Sequence, residues 1–124
     1  MKSFVQLIAA ALYFVVSAVY AAGTPFTLSE FDALQKEGKS ILVHVHAGWC
    51  PTCKAQDPII SELTQSADLK DLKVLEVDYD SQKDIVRQFK VTMQSTLIVF
   101  KGGKETGRSV GDTRKDSIAN MLRK

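Results

Sequence analysis

The sequence predicts one α/β domain in which helices cover both faces of a central mixed β-sheet. Two observations predict this class: β-branched apolar runs alternate with segments of helical spacing, and a tight Gly102-Gly103 turn joins the last two strand-like runs. Strands connected through helices run parallel, whereas a two-residue turn makes the final pair antiparallel. A chain of 124 residues is long enough for one such domain.

The elements follow in the order helix, strand, helix, strand, helix, strand, strand, helix. Capping residues, glycines and apolar spacing predict helices from Thr27 to Gly38, Pro51 to Gln65, Asp84 to Phe89, and from Asp112 or Thr113 to Leu122. Strands are predicted over residues 41–45, 72–77, 96–100 and 104–110. The last strand is the most polar, and we therefore expect it at a sheet edge.

The first residues differ in composition from the rest of the chain. A positive start at Met1-Lys2 is followed by a largely apolar run from Phe4 to Val19 and by small residues up to Ala21. This order is typical of a secretory signal peptide. We therefore predict a signal peptide at 1–21, a mature domain at 22–124 and export to the periplasm. The alternative is an uncleaved segment that anchors the chain in the membrane.

The charge balance argues against a nucleic-acid partner. Lys and Arg number 16 against 14 Asp and Glu, and no basic run with interleaved aromatic residues occurs. The Gly102-Gly103 pair lacks the pattern of a phosphate-binding loop. Once the signal peptide is cleaved, we expect no stable membrane insertion.

The two cysteines of the chain, Cys50 and Cys53, lie two residues apart at the start of a predicted helix. A disulfide closing so small a loop stabilises a fold only weakly. A helix N-terminus, however, favours the thiolate, which is the reactive form of cysteine. Export would place the pair where disulfides persist. We therefore predict a redox-active disulfide and no bound cofactor.

The cysteine motif and its surroundings carry a family resemblance. The relevant segments are Trp49-Cys50-Pro51-Thr52-Cys53-Lys54 between strand and helix, Ala47 before it, Pro58 after it, Phe100-Lys101-x-Gly103 in the hairpin, and Gly111. With the order of elements, this pattern resembles the thioredoxin superfamily over essentially the whole mature chain. In an exported protein, the nearest relatives should be periplasmic thioredoxin-like thiol–disulfide oxidoreductases.

The resemblance implies a thioredoxin fold and an assignment of roles. Cys50 would be the exposed nucleophile and Cys53 the buried resolving thiol in exchange with protein thiols and disulfides. Trp49 would shield one side of the site. The reductive direction is favoured, and a redox partner would recycle the cysteine pair.

Ser95 departs from the family pattern. The family usually has a cis-proline before a late apolar strand, and this chain has Gln94-Ser95-Thr96 there. A cis bond before a non-proline residue costs about 2.5–4 kcal/mol, so we expect a trans bond or a strained cis bond. Trp49, Gln94, Ser95 and Gly111 are the candidate substrate-binding residues.

Two histidines also depart from the pattern. His44 stands where the family often has a buried Asp, and His46 where it often has a Trp. The alternation of strand side chains places both on one face. With a pKa near 6.5, His44 would suit the role of proton acceptor for Cys53.

Two other classes of function stay open. Cys50 and Cys53 could bind a metal or an iron–sulfur centre, with a dimer as one possibility, because soft thiolates bind such centres. Two His and two Cys also form a nominal zinc set, although both His precede the helix on one strand. The third class is a non-catalytic binding module, against which the intact cysteine pair argues.

Overall fold

The computed structural model describes residues 23–124 and confirms the predicted α/β class. The helices are α1 (Leu28–Lys36), α2 (Pro51–Thr64), α3 (Lys83–Gln88) and α4 (Lys115–Arg123). The strands are β1 (Thr24–Pro25), β2 (Ile41–His46), β3 (Lys73–Asp78), β4 (Thr96–Lys101) and β5 (Lys104–Val110). The predicted signal peptide at 1–21 and its cleavage point lie outside the described residues. In the part described, no helix is long and apolar enough to cross a membrane.

The five strands form one mixed sheet in the order β1-β3-β2-β4-β5. β2 and β3 are parallel, as predicted for strands joined through a helix, and β4 pairs antiparallel with β5, as predicted for the hairpin. β4 also pairs antiparallel with β2, which the sequence did not predict. The polar strand β5 lies at the edge. β1 was not predicted, because a two-residue strand is too short to show a periodic pattern.

The side chains of β2 alternate between two layers. One set, Ile41, Val43 and Val45, packs with residues of α1 and α3, and we call this layer the apolar side. Leu42 points the other way and packs with residues of α2 and α4, and we call that layer the site side. His44 and His46 share the direction of Leu42.

The helix ends agree with the predictions at one terminus and differ at another. Thr27 is the N-cap of α1, and its hydroxyl accepts a hydrogen bond from the N–H of Glu30. The N-cap of α4 is Arg114 rather than Asp112 or Thr113. The Asp112 carboxylate instead accepts hydrogen bonds from the N–H of Arg114 and from the hydroxyl of Ser117. Asp112 therefore provides a hydrogen-bond acceptor at the start of α4 although it precedes the helix.

Candidate active site

Cys50 and Cys53 form a disulfide at the first turn of α2. Cys50 is the N-cap in extended conformation, and Pro51 occupies the first turn, where its missing N–H is harmless. The Cys50 Sγ accepts a hydrogen bond of 3.1 Å from the N–H of Cys53. When the pair is reduced, this N–H and the positive end of the helix dipole favour the Cys50 thiolate.

The prediction that Cys50 is exposed is wrong for the disulfide form. Cys50 is 1% exposed and Cys53 is fully buried. The Cys50 N–H donates to the Ala47 carbonyl at 3.1 Å, which turns the chain inward, and Ala47 and Tyr79 pack against both cysteines. A partner thiolate therefore has to displace covering atoms before it reaches a sulfur.

Trp49 precedes the buried disulfide and is 58% exposed. Its indole Nε1–H donates a 2.7 Å hydrogen bond to Oδ2 of Asp80, in the turn after β3. The ring is therefore held in one direction on the surface beside Cys50. Asp80 was not predicted as a site residue, because it is brought close to Trp49 only by the pairing of β2 with β3.

Ser95 adopts a left-handed backbone conformation with φ of 62°. No peptide bond in residues 23–124 is cis, so the bond before Ser95 takes the trans form, one of the two that the sequence predicted. The Ser95 N–H donates to the Val45 carbonyl at 2.7 Å. Proline has no N–H and a φ near −65°, so it does not fit this conformation.

Gly111 and Gln94 lie next to Ser95, so the structure brings together three of the four predicted substrate-binding residues. The Gly111 N–H donates to the Ser95 carbonyl at 3.0 Å, and Gln94, half-buried, accepts from the Ser95 hydroxyl. Gly111 has φ of +70°, which favours glycine. Cys53 Sγ lies 3.9 Å from the Val45 carbonyl oxygen that Ser95 binds, so this loop borders the disulfide.

Gln56 is a fully buried residue that connects three parts of the site. Its Nε2 donates to the carbonyls of Ser95 and Asp112, at 3.1 and 2.9 Å. Its Oε1 lies 3.0 Å from Nε2 of His44. Because both amide hydrogens are used, Oε1 is the acceptor and His44 carries its hydrogen on Nε2. Gln56 was not predicted as a site residue, although its position three residues after Cys53 places it on the same helix face.

His44 is completely buried, and its second ring nitrogen, Nδ1, lies 3.7 Å from Oδ1 of Asp57. Burial lowers the pKa of His44 to about 4, which the Gln56 hydrogen bond only partly opposes and which His46 lowers further. The expected pKa near 6.5 is therefore wrong. The ring faces Gln56 and Asp57 rather than a cysteine sulfur, and its role as proton acceptor stays a prediction.

His46, Asp57 and Glu76 join His44 in one group, which we call the acid–histidine cluster. The Nε2 of His46 lies 3.3 Å from Oδ2 of Asp57, and its Nδ1 lies 3.5 Å from Oε1 of Glu76. The rings of His44 and His46 meet edge to face, which confirms that they share a strand face. Burial raises the pKa of Asp57 and of Glu76, and His46 partly opposes this in both.

The cluster includes two carboxylates that were not predicted as site residues. Asp57 follows Cys53 by four residues, and Glu76 interrupts the apolar alternation of Val74, Leu75 and Val77. Either signal could have marked a polar group beneath the cysteines. Both histidines face these carboxylates and the cysteines are bonded to each other, so the nominal two-His, two-Cys zinc set is not assembled.

Comparison with known proteins places this site in a known family. The sequence model of the thioredoxin family matches residues 24–124. Thioredoxin of Chlamydia trachomatis is 39% identical over 84 residues, which cover 68% of this chain and 80% of that protein. Thioredoxin-1 of Saccharomyces cerevisiae is 34% identical over 85 residues, 68% of this chain and 81% of its own length.

A solved structure agrees over a larger share of the chain. The crystal structure of Trxlp from Edwardsiella tarda superposes with a TM-score of 0.79 at 37% identity, and it covers 82% of this chain and 98% of its own. The similarity thus extends over the sheet, the helices and the cysteine turn.

Proposed function

This chain belongs to the thioredoxin family and is a thiol–disulfide oxidoreductase with its own Cys50–Cys53 pair as redox group, and from that premise we propose that it reduces disulfides of exported proteins. Cys50 is the nucleophile and Cys53 the resolving thiol. The observation that carries this assignment is the N-cap geometry, because the Cys50 sulfur receives the helix N–H. Cys53, within the helix, has no such placement.

The proposed reaction has two steps. The Cys50 thiolate attacks one sulfur of the substrate disulfide, that S–S bond breaks, and the departing sulfur leaves as a thiolate that takes a proton from solvent. The Cys53 thiolate then attacks Cys50 in the mixed disulfide. This second step forms the Cys50–Cys53 disulfide and releases the second substrate thiol, so two electrons pass from the protein to the substrate.

The surface around the pair suits a protein substrate. Trp49, Met93 and Val110 are large apolar residues that stay more than half exposed. Met93 precedes the Gln94–Ser95 turn, and Val110 pairs with Thr96 directly after it. We place the substrate chain on these residues and on Gly111, where apolar contact adds to the sulfur chemistry.

The cycle and the location complete the proposal. Each reductive turnover leaves the disulfide, so a redox partner must return two electrons to the pair.

The apolar leader predicted at 1–21 supports a periplasmic location, with an uncleaved membrane anchor as the alternative. Mass spectrometry of the exported protein tests this: cleavage gives a chain that begins at Ala22, and an intact leader contradicts it.

Cysteine variants test the assignment of roles. Reduced wild-type protein should reduce a model protein disulfide, and Cys50→Ser should abolish this activity. Cys53→Ser should instead accumulate a mixed disulfide, visible as a mass increase on a non-reducing gel. Trp49→Ala should keep both cysteines reactive but raise KM for the protein substrate. A mixed disulfide that forms on Cys53 in the Cys50→Ser variant would reverse the assignment.

The direction of exchange needs its own measurement. It depends on the difference between two redox couples, and about 30 mV corresponds to only about 1.4 kcal/mol. Equilibration of the Cys50–Cys53 pair against glutathione buffers of known poise gives its reduction potential. A potential below that of the periplasmic substrates supports reduction, and a higher one makes the enzyme an oxidant.

A further inference from the structure

We propose that the acid–histidine cluster is a zinc site, in which Nδ1 of His44 and the carboxylates of Asp57 and Glu76 hold one Zn²⁺. One ligand atom from each of these three side chains lies within 4.8 Å of the other two. Three different elements supply them: β2, α2 and β3. The site uses neither cysteine sulfur, so its test is independent of the exchange reaction.

The arrangement of His44 is the first argument. The Gln56 amide fixes the ring hydrogen on Nε2, so Nδ1 presents a lone pair. Nδ1 is buried, has no hydrogen-bond partner and points toward Oδ1 of Asp57, which is also buried and without a partner. Two acceptors that face each other in a buried place require a positively charged or proton-bearing species between them.

The distances are close to those of a metal site. Zinc bonds to nitrogen and oxygen of about 2.0–2.2 Å place tetrahedral ligands about 3.3–3.6 Å apart. The Nδ1 of His44 and Oδ1 of Asp57 are 3.7 Å apart. Glu76 is paired directly with His44 in the parallel β2–β3 register, so its carboxylate approaches from the neighbouring strand. The other separations in the set are up to 4.8 Å, so the carboxylates have to rotate toward the ion when it binds.

The charges also match a divalent ion. Asp57 and Glu76 together carry two negative charges when ionised, and within residues 23–124 their ion-pair partners are histidines rather than Lys or Arg. Their side chains are 18% and 24% exposed, so both carboxylates can be reached from solvent. One imidazole nitrogen with two carboxylates is a donor set that zinc accepts.

The neighbours resemble the outer shell of a metal site. The Nε2–H of His44 donates to Gln56, as a metal-bound imidazole usually donates its second N–H. His46 lies between the two carboxylates and can donate to one of them, which fixes its orientation. Gln56 and His46 are therefore positioning residues for the three proposed ligands.

Zinc titration of the oxidised full chain tests the site, because the disulfide form offers no thiolate to the metal. We expect saturable uptake of one Zn²⁺ by competition with a chromophoric chelator. Glu76→Gln and Asp57→Asn should each weaken binding at least about tenfold. The control Glu62→Gln, which removes a charge from the same helix α2 but faces Lys115, should bind as the wild type does. Equal binding by all four proteins would overturn the proposal.

A second measurement does not depend on any variant. In ¹⁵N-labelled oxidised wild type, long-range ¹H–¹⁵N spectra report the two ring nitrogens of each histidine. Zinc should shift Nδ1 of His44, while its Nε2 stays protonated. Absence of saturable zinc uptake, or uptake that leaves His44 unchanged, would show that the cluster holds protons or water instead of a metal.

Discussion

The two faces of the sheet use the same strands for different purposes. On the apolar side, Phe31 packs against Phe26, Phe89 and Phe100 with ring centroids 5.1–5.5 Å apart, beside a continuous layer of aliphatic residues. On the site side, aliphatic packing covers only part of the sheet, and polar residues replace it near the cysteines. Successive side chains of the strand β2 point alternately to the apolar side and to the site side.

The apolar side mainly stabilises the fold, whereas the site side holds the polar groups near the cysteines. Burial of apolar area stabilises the fold on the apolar side without any polar group that must be satisfied. On the site side, His44 and Gln56 are fully buried and depend on specific partners. A buried polar group without its partner destabilises the fold, so each change on this side should affect both stability and pH dependence.

The largest effect on stability should come from Phe31→Ala, on the apolar side. Removal of a buried phenylalanine should lower the free energy of unfolding by about 3–5 kcal/mol, through lost burial and a cavity. Exchange activity per folded molecule should stay unchanged. Urea unfolding with the disulfide intact measures the loss. The control Leu28→Ala, at an exposed position on the same helix, should change stability by less than about 0.5 kcal/mol.

A pH-dependent loss should arise on the site side from His44. Its pKa is about 4 in the folded protein and near 6.5 when unfolded, so the unfolded chain binds the proton first as the pH falls. Stability attributable to His44 is therefore complete above pH 6.5 and decreases toward pH 4, by roughly 3 kcal/mol in all. His44→Asn should lack this decrease.

The measurement has to separate His44 from the groups that face it. Asp57 and Glu76 have raised pKa values, so they change stability in the opposite direction over an overlapping pH range, and His46 lies between them. The quantity to compare is thus the difference between wild type and His44→Asn in urea unfolding at each pH, with a chelator present. A difference that stays constant from pH 7 to 4 would show that His44 is not neutral and buried.

The sequence predicted the apolar side and the cysteine turn well, because both depend on local patterns. Residues 41–45 alternate within one strand, and a cysteine before Pro51 is recognisable as a helix start. The surroundings of His44 could not be predicted in the same way. Glu76 reaches it through the β2–β3 register and Gln56 through the packing of α2, and both relations are set by tertiary structure.

A third prediction concerns Gln56, the buried connector on the site side. Gln56→Leu keeps a similar volume but leaves the Asp112 carbonyl and the His44 Nε2–H without partners. The Ser95 carbonyl loses one hydrogen bond and keeps the one from the Gly111 N–H. We expect a loss of about 2 kcal/mol, since each unsatisfied group costs about 1–3 kcal/mol and relaxation recovers part of the total. Gln65→Leu, at the exposed end of α2, is the matched control and should unfold like the wild type. Equal stability of both variants would show that water replaces the amide.

The smallest effect compares Lys90 and Ser95, the two non-glycine residues with positive φ within residues 23–124, one on each side of the sheet. Lys90, after α3, has φ of 55°, and Ser95 has φ of 62°. The left-handed conformation costs an L-residue about 1–2 kcal/mol, and replacement by glycine removes this cost. Glycine also makes the unfolded chain more flexible, which offsets about 0.4–1 kcal/mol of the gain in stability. Lys90→Gly should therefore gain about 0.5–1 kcal/mol with unchanged exchange kinetics.

Ser95→Gly should gain less than Lys90→Gly, because it also loses the hydroxyl that donates to Gln94. Ser95→Ala, which keeps the strained φ and loses the same hydroxyl, isolates that contribution. We also expect KM for a protein disulfide to rise in Ser95→Gly, since a freer backbone beside the cysteines holds the substrate less firmly. Urea unfolding and steady-state kinetics of the three variants measure both effects. Equal KM values throughout would mean that the conformation of Ser95 serves the fold alone, as that of Lys90 does.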